Sequence, residues 1–333
     1  MFNLSYTNTN PVRNDAKKVM ENAENVSINT EEISKLSQKL INEYELKPAE
    51  WDAPVFPSIP ESDFETIVDF LIVGNSVNYC FNDLESGVKF STEYLDVEWP
   101  GSFGLWASIK RAMDENIPIL DADYLQSITK NELKNIFNST ENKSMPMVES
   151  RVENLNEVGK IMEDLGGSFV SLFEDDVQIY GENGIVESLV ESNAFKDERT
   201  YNGEIIRFDK RAQLAVCMIY GKCLNTEYEF DIKDKNSFTI FADYGIPAGL
   251  FAYGVLEYSN ALQNQINSRN TIPKNSKSEV EIRSATVIAG ELIQEEIYNQ
   301  SNKKISMIIL DYLLWQMRND EDTIAHMTKT TAY

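Results

Sequence analysis

Two aspartates stand inside apolar runs of an otherwise polar, acidic chain. Asp243 lies in Phe238-Thr239-Ile240-Phe241-Ala242-Asp243-Tyr244-Gly245-Ile246-Pro247, and Asp311 lies in Met307-Ile308-Ile309-Leu310-Asp311-Tyr312-Leu313-Leu314-Trp315. A carboxylate costs on the order of several kcal/mol to bury unpaired, so each needs a partner or a purpose. Asp243 precedes Gly245-Ile246-Pro247, which suits a helix N-cap with proline in the first turn. It equally suits a reactive carboxylate at a helix entrance, walled by Phe241 and Tyr244, and one geometry can serve both. Asp311 reads either as a satisfied core network or as an acceptor for a polar ligand edge. Tyr312 is its neighbour, Trp315 follows at the spacing of one helix face, and Gln316 comes next. A carboxylate between aromatic walls suits glycosidic chemistry, in which a cationic sugar develops at the transition state.

Other constellations are weaker. Asp209-Lys210-Arg211-Ala212-Gln213 is a cationic spot opening a helix, either a solvated first turn or a phosphate contact. Glu279-Val280-Glu281-Ile282-Arg283 reads as a structural Glu/Arg pairing. His326, Lys329 and Tyr333 belong to a sparse C-terminal tail of the kind that frays. The chain has no P-loop, dinucleotide glycine fingerprint, metal-ligand spacing or Ser/His/Asp set, so neither metal nor cofactor is expected.

The elements that must carry these residues are mainly helical. Helical periodicity runs from Asp15 to Leu46, with Asn29-Thr30-Glu31-Glu32 as an internal cap. Pro48 to Pro60 is a proline-punctuated loop holding Trp51 and Phe56. Phe64 to Phe81 is apolar and fits helix or buried strand, with helix favoured for its first half. Helices are expected over Ser102–Asn116, from Ser144-Met145-Pro146-Met147 to about Leu165, over Lys210–Gly221, Pro247–Ile266, Val280–Gln300 and Ile305–Arg318. Shorter turns are expected at Asp121–Ser127, Lys130–Phe137 and Ser168–Glu174. Alternation marks a hairpin around Val88–Trp99, and Asn202-Gly203 marks a second over Arg199–Phe208. No repeat or composition break divides the chain. The expectation is a loose lead-in over 1–14 and a single helical domain over 15–333, with one or two small β-hairpins.

The 333 residues carry 54 acidic against 30 basic side chains, a net charge of −24. A field of that sign opposes nucleic acid polymers, whose binding depends on phosphate neutralisation, but a small phosphorylated ligand needs only a local cluster of donors. The apolar runs are too short to span a membrane, and the N-terminus lacks a signal pattern. Three sparse cysteines suit a reducing compartment, and the expected setting is the cytoplasm.

Taken together, several segments resemble the queuosine salvage family, the queuosine 5′-phosphate N-glycosylases. They are Ser102-Phe103-Gly104-Leu105-Trp106-Ala107-Ser108-Ile109-Lys110-Arg111-Ala112, Asn116-Ile117-Pro118-Ile119, Ser144-Met145-Pro146-Met147-Val148-Glu149-Ser150-Arg151 and Leu155-Asn156-Glu157-Val158-Gly159-Lys160. Gly166-Gly167-Ser168-Phe169, Lys210-Arg211-Ala212-Gln213, Phe241-Ala242-Asp243-Tyr244, Glu279-Val280-Glu281-Ile282-Arg283 and Leu310-Asp311-Tyr312-Leu313-Leu314-Trp315 complete the ordered set. No single motif is decisive; their order is specific. The resemblance implies a helical fold related in shape to DNA glycosylases. It also implies hydrolysis of queuosine 5′-phosphate to queuine and ribose 5-phosphate, acting on a free nucleotide. A monomer is expected. It places the catalytic carboxylate on Asp243 and base contacts on Phe241, Asp311 and Tyr312. Lys210 and His326 are the candidates for the 5′-phosphate. Two departures stand out: Gln316 occupies a place that is acidic in some relatives, and Phe56 or Val55 falls where some carry a base-contacting histidine. A DNA glycosylase and a queuine-binding protein without catalysis are the competing readings; the charge opposes the first and the retained Asp243 the second.

Overall fold

The computed structural model describes residues 10–84, 86–139, 145–174, 177–318 and 324–333. Among them are thirteen α-helices and three two-stranded antiparallel sheets, so the fold is mainly α with small hairpins, as expected. Contacts group the chain into two compact units, 1–49 with 197–210 and 234–329, and 50–196 with 211–233 and 330–333. Neither unit is a continuous stretch, so no composition change along the sequence could mark a boundary.

The first unit is built on the helix Lys277–Ser301. Its residues from Glu279 to Glu291 are buried on every side, which makes it a central helix and not a surface one. The helices Pro11–Met20 and Thr30–Glu43 pack on it. Thr30–Glu43 buries Ile33, Leu36 and Leu40 along one stripe and is capped by Asn29, whose side chain accepts from the backbone of Glu31 and Glu32. Pro11–Met20 starts earlier than the periodicity suggests, because Asn10 caps it and Pro11 occupies its first position. Residues 1–9 of the expected lead-in lie outside the described residues, as does Ser144 at the expected start of the helix Val148–Asp164.

Three expectations change. The run Pro247–Ile266 is not one helix: Gly245–Ala252 ends before Gly254, whose φ of +71° breaks it. Leu256–Tyr258 then pairs with Val26–Ile28, and Asn260–Asn267 restarts under a Ser259 cap. Glu279 and Arg283 each find a partner on another element. Glu279 binds Arg199, with Nε–O distances of 2.8 and 2.9 Å, and Arg283 binds Asp197. The C-terminal tail does not fray. His326, Thr328, Thr330, Ala332 and Tyr333 are buried, the Met327 carbonyl accepts from Ile272 N at 2.7 Å, and the Tyr333 carbonyl accepts from Cys80 N at 3.1 Å.

The second unit has the helix Phe64–Ser76 at its centre, helical throughout its described length and buried from Ile67 to Ser76. Gly101–Asp114 and Val148–Asp164 pack on it. The missing Cβ of Gly74 admits the Trp106 ring, whose nearest atom would stand 1.9 Å from such a Cβ. Fully buried Arg151 donates to the carbonyls of Val77, Tyr79 and Cys80, and fully buried Arg211 to those of Asn75 and Ser76. Two guanidinium groups thereby satisfy carbonyls that the end of the central helix leaves open.

Candidate active site

Residues 238–243 form neither helix nor strand, yet Phe238 to Ala242 are buried. A buried irregular segment must find side-chain partners for its peptide groups. Arg13 Nη2 donates to the Phe238 carbonyl at 3.3 Å, and Arg283 Nε donates to the Ala242 carbonyl at 3.0 Å. Phe241 N donates to Asp311 Oδ1 at 2.8 Å. The segment delivers Asp243 to the start of the helix Gly245–Ala252. There Asp243 Oδ1 accepts from Gly245 N at 2.8 Å and Ile246 N at 2.9 Å. The N-cap position itself is Tyr244, which makes no side-chain cap bond; Asp243 binds the helix start from one residue earlier and uses one oxygen only. Among the described residues Oδ2 accepts no hydrogen bond, and the side chain is only partly buried.

Asp311 is 8% exposed on the helix Met307–Met317. Burial pushes its carboxyl up to about 8 and nearby Asp243 adds to the rise, against the Phe241 N–H and the cations Lys210 and Arg318. The core-network role and proximity to Asp243 are thus combined in one side chain. Tyr312 and Trp315 are half-buried and stack with ring centres 6.3 Å apart and planes 13° apart. Phe241 is buried edge-on to Phe238, and Gln316 is half-buried one position beyond Trp315.

Arg318 belongs to the same group, although the sequence reading did not single it out. Its guanidinium lies 3.7 Å from the Trp315 ring centre, and Nη1 donates to the Trp315 carbonyl. Gly245 makes room for it, since a Cβ there would stand 2.7 Å from Arg318 Cδ. Burial lowers the guanidinium's pKa, while Asp243, Tyr244 and Asp311 raise it. The available signal was spacing: Tyr312, Trp315 and Arg318 recur every three residues and share a helix face.

Lys210 is buried and opens the helix Lys210–Cys223, where its backbone N donates to Asp197 Oδ2 at 3.2 Å. His326 lies close enough to Asp243 and Arg283 to feel both charges, yet burial lowers its pKa to about 4. It is therefore neutral at physiological pH. Phe56 lies in the second unit. It is 4% exposed, with Trp51, Phe70, Phe103 and Trp106 rings 5.5 to 6.4 Å from its own, which is the packing of a core residue. No group of three or more metal-ligating side chains occurs among the described residues.

Comparison with known proteins finds relatives over nearly the whole chain. The chain is 29% identical over 324 residues to the queuosine 5′-phosphate N-glycosylase/hydrolase of Sphaerobacter thermophilus, covering 95% of this chain and 96% of that protein. The Bos taurus protein of the same name is 30% identical over 320 residues, covering 92% and 93%. That of Mus musculus is 29% identical over 317 residues, covering 91% of each. The family model described as queuosine salvage protein matches residues 58–333, and the chain belongs to that family.

Proposed function

We propose that the protein hydrolyses the N-glycosidic bond of queuosine 5′-phosphate and releases queuine for salvage into tRNA modification. The observation that carries the reading is Asp243, a carboxylate fixed through one oxygen and open at the other. The relatives named for this reaction, similar over nine-tenths of the chain, support it.

Queuine is a 7-deazaguanine, so the leaving base cannot be activated by protonation at position 7, which is carbon. Catalysis must act on the sugar and on the polar edge of the base. The C1′–N9 bond breaks with its electron pair going to N9, a water oxygen bonds to C1′, and a proton from that water ends on the base. The products are queuine and ribose 5-phosphate. Asp243 Oδ2 meets the positive charge developing at C1′, as electrostatic stabiliser or by a transient bond. Asp311 accepts from the imino and amino groups of the base, with Phe241 and Tyr312 as aromatic walls and Gln316 at the margin. Lys210 holds the 5′-phosphate at a helix start, with Arg318 as a second cation and His326 as a neutral donor. No base contact is assigned to Phe56.

All these groups come from one chain, so a monomer suffices. The three cysteines are buried thiols, which suits the cytoplasm, and no described helix is long and apolar enough to cross a membrane.

The decisive assay follows queuine release from queuosine 5′-phosphate. The wild type should turn over, and Asp243→Asn should lose turnover while keeping its fold and its affinity for queuine. Near-normal release by that variant removes Asp243 from the mechanism. The dephosphorylated nucleoside should react far more slowly, because binding energy from the phosphate is used at the reacting bond.

A further inference from the structure

Asp243 ends a buried segment that has no regular ladder of hydrogen bonds, so its position depends on the side chains that hold the segment. We propose that the Asp197–Arg283 pair is a positioning device for Asp243, locating its carboxylate for the glycosidic step and setting the helix start at Lys210 from the same carboxylate. The inference rests on the role given to Asp243 above.

Three bonds leave the Arg283 guanidinium in one plane. Nη1 and Nη2 donate to Asp197 Oδ1 and Oδ2, each at 2.7 Å, and Nε donates to the Ala242 carbonyl at 3.0 Å. That carbonyl belongs to the peptide joining Ala242 to Asp243. The guanidinium centre lies 4.0 Å from the Phe208 ring centre, which fixes its plane. Arg283 and Asp197 are at most 1% exposed. Asp197 also accepts from Lys210 N at 3.2 Å and stands 3.6 Å from Arg199 Nη1. Burial alone would raise the Asp197 carboxyl, yet Arg283 and then Arg199 hold it down at about 2, so the pair stays charged at any pH of interest.

A buried ion pair is weak evidence for stability, because desolvation offsets much of the attraction. Here the geometry points to placement. Only a planar fork can bind a carboxylate bidentately and still reach a carbonyl with its third nitrogen; a lysine cannot. The neighbouring Arg199–Glu279 pair is a natural control. Arg199 also donates to Glu198 O and stands 3.6 Å from Asp197, and Glu279 accepts from Asn275 N, so this pair meets the device at Asp197 while the bond to the Ala242 carbonyl comes from Arg283.

Arg283→Lys, Asp197→Glu and Glu279→Gln are compared with the wild type for kcat and KM on queuosine 5′-phosphate, queuine affinity and melting temperature. Arg283→Lys keeps the charge and loses the fork; Asp197→Glu keeps the pair and displaces it, and substitutes should Arg283→Lys fail to fold. Either should lower kcat by about ten- to a hundredfold, the effect of a small misplacement of a reacting group, with KM and queuine affinity within about twofold. Glu279→Gln should lower the melting temperature and leave kcat within about twofold, since it breaks a buried pair without touching the segment. Wild-type kcat in the folded Arg283 or Asp197 variant overturns the positioning role alone, as does an equal kcat loss in Glu279→Gln. A wild type that binds queuine but never releases it from the nucleotide overturns the activity and this role with it.

Discussion

With one oxygen of Asp311 committed to Phe241 N, the state of the rest of that carboxyl decides what it can read. A pKa near 8 leaves it mostly protonated in the empty site at neutral pH. A base edge presenting two N–H donors favours the anion, so binding queuine should drive the proton off. Calorimetry in buffers of different ionisation enthalpy should find proton release below pH 8, with affinity rising toward that pH, and neither trend in Asp311→Asn. Uptake of a proton instead would mean that Asp311 donates to the base carbonyl. The same shift has a stability consequence of definite sign. Because the folded pKa lies above the unfolded one, the stabilising contribution is complete below about pH 4 and is lost as pH rises to about 8. Asp311→Asn should therefore gain on the wild type between those pH values, by at most about 1.4 kcal/mol per pH unit, as read from denaturant midpoints at pH 5 and 8.

Between the helix Lys277–Ser301 and the Asp243 segment the fit is tight at one point. Gly290 receives Ile240, whose Cγ1 would stand 2.1 Å from an added Cβ. Gly290→Ala gains about 1 kcal/mol of helix propensity, yet overpacking costs about 1–3 kcal/mol, so net destabilisation is expected. It should also lower kcat, because Ile240 lies three residues before Asp243; a more stable and fully active variant would mean that the segment yields freely. The helices that carry the site were legible because their apolar content and length are local features: Lys277–Ser301 and Met307–Met317 sit close to where the sequence puts them. The bonding of Asp243 to the next helix start was legible for the same reason. The pairing of Val26–Ile28 with Leu256–Tyr258 was not, since it joins residues more than two hundred positions apart, and neither strand has the length to show alternation. The partners of Glu279 and Arg283 were illegible too. Local spacing favours an i,i+4 pair, whereas burial of both residues on a central helix hands each to a different element.

For the molecule entire, a net charge of −24 means self-repulsion in the folded state. Raising ionic strength from about 0.01 to 0.15 M shortens the screening length from about 30 to 8 Å, so the melting temperature should rise, and duplex DNA should show no shift at either salt. A melting temperature that falls with salt would show the acidic side chains to be well paired instead. The interleaving of the two units has another consequence, for the order of events during synthesis. Arg13 is 2% exposed and its salt-bridge partner is Glu291, at 2.9 Å. The helix Pro11–Met20 thus leaves the ribosome with a charge destined for the interior and waits for nearly the whole polypeptide before its counter-ion exists. Until then the first unit is unfinished, while the second lacks only residues 330–333. Termination before the helix Lys277–Ser301 would leave that arginine at most its carbonyl partners at Asn236 and Phe238 without Glu291, so the first unit completes this charge pairing only once that helix is translated.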